Sequence, residues 1–254
     1  MMATKDRLGW TPADYDALLA TASRLGMDPE WLAAVMYSES TMDASALNNL
    51  GYRGLISLGR NELKNMGLSS KQIDDFVHWS PARQMPFVER YFKFWAPASG
   101  WTSRAQIYQS AFLPATVASL GSSPNTVLAR IPADGCPKAG NTFCANSIFS
   151  SDGKTIRVSD LESQIQKRIS SPWSKWDTAL EGLRNAQMRV TAATDSPQAP
   201  ASPPTGITPT SAISTASPQT PTAALFLAGL AFGVGGYFLL RNPRNTESPR
   251  WLST

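Results

Sequence analysis

The composition of this chain changes abruptly after Val190, and the change limits how much of the sequence can form a packed core. Proline, serine, threonine and alanine make up most of residues 191–222, with seven prolines among them. Such a segment buries too little apolar surface to offset its conformational entropy, so we predict a disordered linker there. The folded part of the chain is therefore expected within residues 1–190, the length of one domain of ordinary size.

An uncharged apolar stretch, which begins at Ala223 and ends at Leu240, follows the predicted linker. As a helix, residues 223–240 would span about 27 Å, just enough to cross the hydrocarbon core of a bilayer. The tail, residues 241–254, contains three arginines, so the positive-inside rule places it in the cytoplasm and residues 1–190 on the extracytoplasmic side. We therefore expect a single-pass membrane protein, in a cell envelope or in a lipid layer of a virion. Gly229 and Gly233 form a Gly-x-x-x-Gly pattern through which two copies could pair as a homodimer.

Capping residues followed by apolar stripes predict a mainly helical domain. Thr11 precedes Pro12, and Asp28 precedes Pro29; both pairs are typical of an N-cap and the first helical position. Ser80 and Ser159 are predicted to cap later helices, and residues 121–160 are predicted to be rich in loops. The predicted helices cover residues 11–26, 28–40, 62–66, 80–95, 102–117, 160–169 and 173–192.

Glu39 is predicted to lie on the apolar face of the second helix. It follows Val35 by four residues and Met36 by three, and so continues the stripe formed by Trp31, Leu32, Val35 and Met36. A carboxyl group turned inward loses the hydration of its ionised form, which raises its pKa and lets it hold a proton near neutral pH. Such a group can act as a general acid toward a leaving oxygen. The alternative is a Glu39 at the helix end with its carboxylate in solvent.

A glycine-containing return, Gly51-Tyr52-Arg53-Gly54-Leu55-Ile56, follows the pair Glu39-Ser40. An apolar helix that ends in Glu-Ser, with Gly-x-x-Gly-Leu after it, resembles the catalytic motif of soluble lytic transglycosylases. These lysozyme-like enzymes cut the glycan strands of peptidoglycan. Their motif continues with glutamine, where this chain has Ser57, and they commonly have Gly-Phe-Asn where this chain has Thr41-Met42-Asp43.

A second segment, beginning at Tyr108, resembles the same family. The sequence Tyr108-Gln109-Ser110-Ala111-Phe112-Leu113-Pro114 is similar to a Tyr-x-x-x-Phe-Leu-Pro form associated with phage-encoded members, whereas Tyr-Asn-Ala-Gly is the commoner form. In the family this tyrosine lies at the catalytic cleft near the acid. The alternative for Tyr108 is an ordinary half-buried helix tyrosine.

The resemblance implies a lysozyme-like helical fold and a specific reaction without a metal or other cofactor. Glu39 would protonate the oxygen of the β-1,4 bond between N-acetylmuramic acid and N-acetylglucosamine. The same carboxylate would then accept the proton of the sugar's own 6-hydroxyl, which gives a 1,6-anhydro product. Ser40, Gly54, Ser57 and Tyr108 would contribute to substrate binding, and Ser40 would help to orient either the acid or a group of the substrate.

Other features of the composition narrow the possible functions. The net charge of +4 is scattered along the chain, so no nucleic-acid partner is expected. With one histidine and two cysteines, a metal site has little support. Cys136 and Cys144 are predicted to close a small disulfide loop, with two free thiols as the alternative. A hydrolytic lysozyme on the same fold and a non-catalytic structural protein of a virion or envelope stay open as other functions.

Overall fold

The computed structural model describes residues 4–136 and 141–195, and this part of the chain is mainly helical, as predicted. None of its helices is both long enough and apolar enough to cross a membrane. The predicted transmembrane segment at residues 223–240, its glycines Gly229 and Gly233, the tail and most of the predicted linker lie outside the described residues.

The described residues contain ten α-helices and two short strands. The helices are α1 (Pro12–Leu25), α2 (Pro29–Ser40), α3 (Arg60–Asn65), α4 (Ser70–Asp75), α5 (Pro81–Trp95), α6 (Arg104–Phe112), α7 (Ala115–Leu120), α8 (Thr142–Ala145), α9 (Val158–Ile169) and α10 (Trp176–Asp195). Strands β1 (Val127–Arg130) and β2 (Thr155–Arg157) pair antiparallel, with Ala129 opposite Ile156. Single 3₁₀ turns occur at Phe76–His78 and Ser147–Phe149.

Local capping interactions explain why the first helices begin and end where they do. The Thr11 side chain accepts the N–H of Asp14 at 3.4 Å, and the Asp14 carboxylate accepts the N–H of Thr11 at 2.8 Å. Gly26, with φ 61°, ends α1 in the left-handed conformation. Asp28 and Ser80 accept main-chain N–H groups at the starts of α2 and α5. These four predicted helix ends are confirmed.

Helix α2 is the centre of the domain and packs against α1, α6, α9 and α10. Residues 32–40 are all buried, so the helix is surrounded rather than buried on a single stripe. Ala33 and Ala34, on the sides away from the predicted stripe, are small enough to let neighbouring helices approach closely. Trp31, which was predicted on the buried stripe, is only half-buried.

The predicted helix over residues 102–117 is two helices, α6 and α7. The break occurs at Leu113, which has φ −143° and ψ 71°. Pro114 causes it, because a proline disfavours the helical conformation of the preceding residue and has no N–H to continue the ladder.

The boundaries of α9 and α10 also differ from the prediction. The Asp160 carboxylate accepts the N–H of Arg157 at 2.7 Å and so caps α9, whereas Ser159, the predicted cap, lies inside the helix. Helix α10 begins three residues later than predicted, at Trp176, and runs to Asp195, beyond the predicted domain end at residue 190. The compositional boundary was misleading because no proline interrupts these residues, and a helix that has already formed extends at little cost.

A disulfide joins Cys136 and Cys144, whose Cα atoms lie 5.5 Å apart. It closes the loop that leads from β1 to α8, as predicted. Asp152 then forms the turn before β2, because its carboxylate accepts the N–H groups of Lys154 and Thr155, both at 2.7 Å.

Candidate active site

Glu39 is the last residue but one of α2, and the chain turns sharply directly after the helix. Thr41 and Met42 both adopt the left-handed conformation, with φ 56° and 60°. The Thr41 N–H closes the helix by donating to the Tyr37 carbonyl oxygen at 2.8 Å. Left-handed backbone is uncommon outside glycine, especially in a β-branched residue such as threonine. Conformational strain of this kind occurs preferentially at functional sites.

The side chain of Glu39 is turned into the protein, and only 3% of the residue is exposed. Burial raises the pKa of Glu39 from 4.5 to about 8, because the ionised form loses its hydration. The positive charge of Arg168 and a side-chain hydrogen bond from Ser57 act in the opposite direction, since both stabilise the carboxylate. Glu39 therefore holds its proton at neutral pH beside two groups that favour its release. The burial predicted from helical spacing is confirmed, and the solvent-exposed alternative is wrong.

Residues 51–58 form a tight return that carries Ser57 to Glu39. Arg53 and Leu58 exchange two main-chain hydrogen bonds of 2.9 Å each, as in a small antiparallel bridge. Gly54 and Ser57 both have positive φ, 75° and 54°, and the Ser57 N–H donates to the Gly54 carbonyl oxygen at 3.2 Å. The strained, half-buried Ser57 is the residue of this return whose side chain bonds to the buried carboxyl.

The buried amide of Gln84, on α5, holds the return in place. Its Oε1 accepts the N–H of Leu55 at 3.1 Å, while its Nε2 donates to the carbonyl oxygens of Ala44 at 2.7 Å and Phe76 at 2.9 Å. A Cβ on Gly54 would lie 2.5 Å from that Oε1 and 2.6 Å from the Phe76 ring. Gly54, predicted to bind substrate, is buried here and serves the site by allowing this close approach.

Ser40, the neighbour of Glu39, connects α2 to the same return. Its fully buried hydroxyl donates to the Leu55 carbonyl oxygen at 3.0 Å, with the Met36 carbonyl oxygen at 3.2 Å as a second acceptor. With 0% of the residue exposed, Ser40 has no surface for the substrate contact that was predicted. Its position fits the other predicted role, which is to orient the acid.

We expect Ser40→Ala to lower the free energy of unfolding by about 1–2 kcal/mol, because the change removes a buried hydrogen bond between two segments of the site. Urea denaturation measures the effect. Ser45→Ala is the matched control: Ser45 is exposed and bonds only to Asp43 in its own turn, so its removal should change stability by less than about 0.5 kcal/mol. Equal stability of Ser40→Ala and the wild type would show that this connection contributes nothing.

Two tyrosines from neighbouring helices lie near Glu39. Tyr108, on α6, is fully buried against Phe149, with ring centroids 6.3 Å apart, and its hydroxyl has no hydrogen-bond partner among the described residues. Tyr91, on α5, donates to the Ser110 carbonyl oxygen at 2.9 Å. Burial first, and then the charge of Glu39, raise the pKa of both tyrosines. Tyr108 is therefore near the acid, as expected, and the half-buried alternative is wrong, although Tyr108 offers a substrate no exposed surface in this conformation.

Arg168, on the last turn of α9, was not predicted as part of the site. Its half-buried charge acts on both Glu39 and Tyr108. The sequence does contain a signal for it, because Arg168 follows Leu161 by seven residues and Ile165 by three and so continues the buried stripe of α9. A basic residue at the end of an apolar stripe is a reason to look for a buried acidic partner.

The site thus combines the end of α2, the return at residues 51–58, and side chains from α5, α6 and α9. Across residues 4–136 and 141–195, no group of three or more His, Cys, Asp or Glu side chains is placed to hold a metal ion. No protein-family model, curated protein or solved structure matches this chain. The geometry itself indicates the chemistry: a buried, protonated carboxyl beside a hydroxyl and a cation can donate a proton and later accept one.

Proposed function

We propose that this protein is a peptidoglycan lytic transglycosylase with a lysozyme-like helical domain. The observation that carries the proposal is the buried carboxyl of Glu39 at the end of the central helix. A general acid must hold its proton until the leaving oxygen departs, and a pKa of about 8 provides this at neutral pH. The hydrogen bond from Ser40 to Leu55 supports it, because it joins the Glu-Ser helix end to the Gly-x-x-Gly-Leu return that together resemble the family's motif.

The proposed reaction uses Glu39 twice. Its carboxyl donates a proton to the oxygen of the β-1,4 bond as the bond from that oxygen to C1 of N-acetylmuramic acid breaks. The positive charge that develops at C1 is then quenched by the 6-hydroxyl oxygen of the same sugar, whose proton passes to the Glu39 carboxylate. Glu39 regains its starting state, and the products are a 1,6-anhydro end and a free 4-hydroxyl, without consumption of water.

Among the described residues, the side chains that act on the pKa of Glu39 are those of Arg168 and Ser57, and no second carboxylate is among them. Asp14 and Asp160 are buried but cap the starts of α1 and α9, and the exposed Asp43 accepts the N–H of Ser45 at 2.8 Å. Glycosidases that hydrolyse their substrates generally use two carboxyl groups across the scissile bond. The single carboxyl favours the transglycosylase over the hydrolytic lysozyme.

We also propose that the domain acts outside the cytoplasm, tethered to a bilayer through residues 223–240. The disulfide between Cys136 and Cys144 supports this location, because disulfides persist in oxidising compartments. A linker rich in proline, serine and threonine would let the domain reach glycan strands beyond the membrane. Pairing through Gly229 and Gly233 stays a prediction.

Product analysis tests the proposed reaction. The full-length protein, in detergent, is incubated with purified peptidoglycan in water that carries a heavy oxygen isotope, and the released fragments are analysed by mass spectrometry. We expect fragments with 1,6-anhydro ends, lighter than reducing ends by one water and free of the isotope. Reducing ends that contain the isotope would support the hydrolytic lysozyme, and no released fragments would support the structural protein.

A further inference from the structure

The buried apolar face of α9 ends in a basic residue, Arg168. Leu161 and Ile165 are fully buried on this face, and α9 packs against both α2 and α6. Arg168 follows them at helical spacing on the last turn and is itself half-buried. Arg168 therefore lies on the face of α9 that packs against α2 and α6, and its charge acts on Glu39 near the end of α2.

Other arginines of this region have acidic partners, but Arg168 does not. Arg104 bonds to Glu162 at 2.7 Å, and Arg157 lies 3.3 Å from the Asp152 carboxylate. The Arg168 guanidinium, in contrast, forms no ion pair and donates no hydrogen bond to any described residue. A half-buried cation without a partner is costly, and an anion that forms nearby during a reaction would offset part of the cost.

We propose that Arg168 is a positioning residue that acts through Glu39, as the counter-charge that stabilises its carboxylate once its proton has moved to the leaving oxygen. The proposal rests on the proposed function for that proton transfer. Without this cation, Glu39 would be a weaker acid, because its buried conjugate base would have only the hydrogen bond from Ser57 to stabilise it.

The other groups that face Glu39 cannot replace Arg168. From α6 and α5 come Tyr108 and Tyr91, which are neutral at physiological pH, since burial raises their pKa well above the ordinary value. Tyr52 and Glu62 interact with Tyr91, but neither supplies a positive charge. Within the described part of the chain, Arg168 is therefore the cation that acts on Glu39.

The test follows the Glu39 carboxyl by ¹³C NMR titration in the full-length protein, in detergent, together with the pH dependence of peptidoglycan cleavage. Arg168→Met should raise the pKa of Glu39 by about one unit, because it removes an opposite charge, and should shift the alkaline limb of the activity profile upward equally. Arg168→Lys keeps the charge and should restore most of both values. Lys167→Met removes a charge from the exposed side of the same turn and is the matched control, with no expected change.

The titration separates this proposal from the proposed function. An unchanged Glu39 pKa in Arg168→Met overturns the counter-charge role, whatever the activity of the variant. If the wild type cleaves no peptidoglycan while the pKa still rises in Arg168→Met, the counter-charge role is supported and the proposed function fails. A pKa that rises equally in Lys167→Met would also overturn the role, because the effect would then be one of general surface charge.

Discussion

Glu39→Gln is expected to abolish peptidoglycan cleavage while the domain stays folded. Glutamine has the size of a protonated glutamate and can donate a hydrogen bond, but it cannot transfer a proton. General acid–base catalysis contributes about 10²- to 10⁴-fold to a rate, and Glu39 serves as acid and then as base, so we expect a loss near the upper end of this range. The release of soluble fragments from purified peptidoglycan by the full-length protein measures the effect.

Glu30→Gln is the matched control for this loss. Glu30 is exposed in the first turn of the same helix, so its substitution makes the same change of side chain without touching the site. The activity of Glu30→Gln should equal that of the wild type. Both activities should decline as the pH rises through about 8, because Glu39 then loses its proton. Cleavage by Glu39→Gln at the wild-type rate would rule out Glu39 as the acid and favour the non-catalytic structural protein.

Glu39→Gln should also stabilise the domain, and its stabilising effect should grow as the pH rises. Glu39 titrates near 4.5 when exposed and near 8 in the folded protein, so the folded state binds more protons than the unfolded state between these values. The stability of the wild type therefore decreases from about pH 4.5 to about pH 8; below pH 4.5 the carboxyl is protonated in both states and contributes nothing. The size of the pKa difference makes the cost roughly 3 kcal/mol at pH 7.

Denaturant unfolding at several pH values between about 4 and 9 measures this contribution. The curves of Glu39→Gln and the wild type should converge at the acidic end and separate as the pH rises, with the variant more stable. Glu30→Gln should follow the wild type throughout, because Glu30 is exposed and lies at the opposite end of α2 from the buried carboxyl. If Glu39→Gln runs parallel to the wild type across the range, the buried carboxyl is not the source of the pH dependence.

The parts of the fold that depend on neighbouring residues could be predicted from the sequence. The caps at Thr11, Asp28 and Ser80 were correct because a capping side chain bonds to N–H groups two or three residues away. The burial of Glu39 followed equally from its spacing on α2. Ser159 was a plausible cap by the same reasoning, but the Asp160 carboxylate caps α9 instead, by accepting the N–H of Arg157.

The parts that depend on contacts between distant segments could not be predicted. The charge of Arg168 acts on Glu39 only because α9 packs on α2; the buried stripe of α9 indicates that Arg168 is turned inward, but not which helix it faces. The burial of α2 on all sides likewise depends on the four helices around it. The position of Ser57 was indicated by the Gly-x-x-Gly-Leu pattern, but its hydrogen bond to Glu39 depends on a strained backbone that Gln84 holds in place.

The three hydrogen bonds of Gln84 also determine how the site responds to heat and to solvent. The return that carries Ser57 cannot swing away by itself, because that motion would break the bond from Leu55 to the Gln84 amide and the bond from Ser40 to Leu55. Opening of this segment is therefore expected to require disruption of the core around α5, and we expect the Leu55 amide hydrogen to be among the slowest to exchange. On this basis, Glu39 is expected to keep its surroundings up to the melting transition and to lose them together with the rest of the domain.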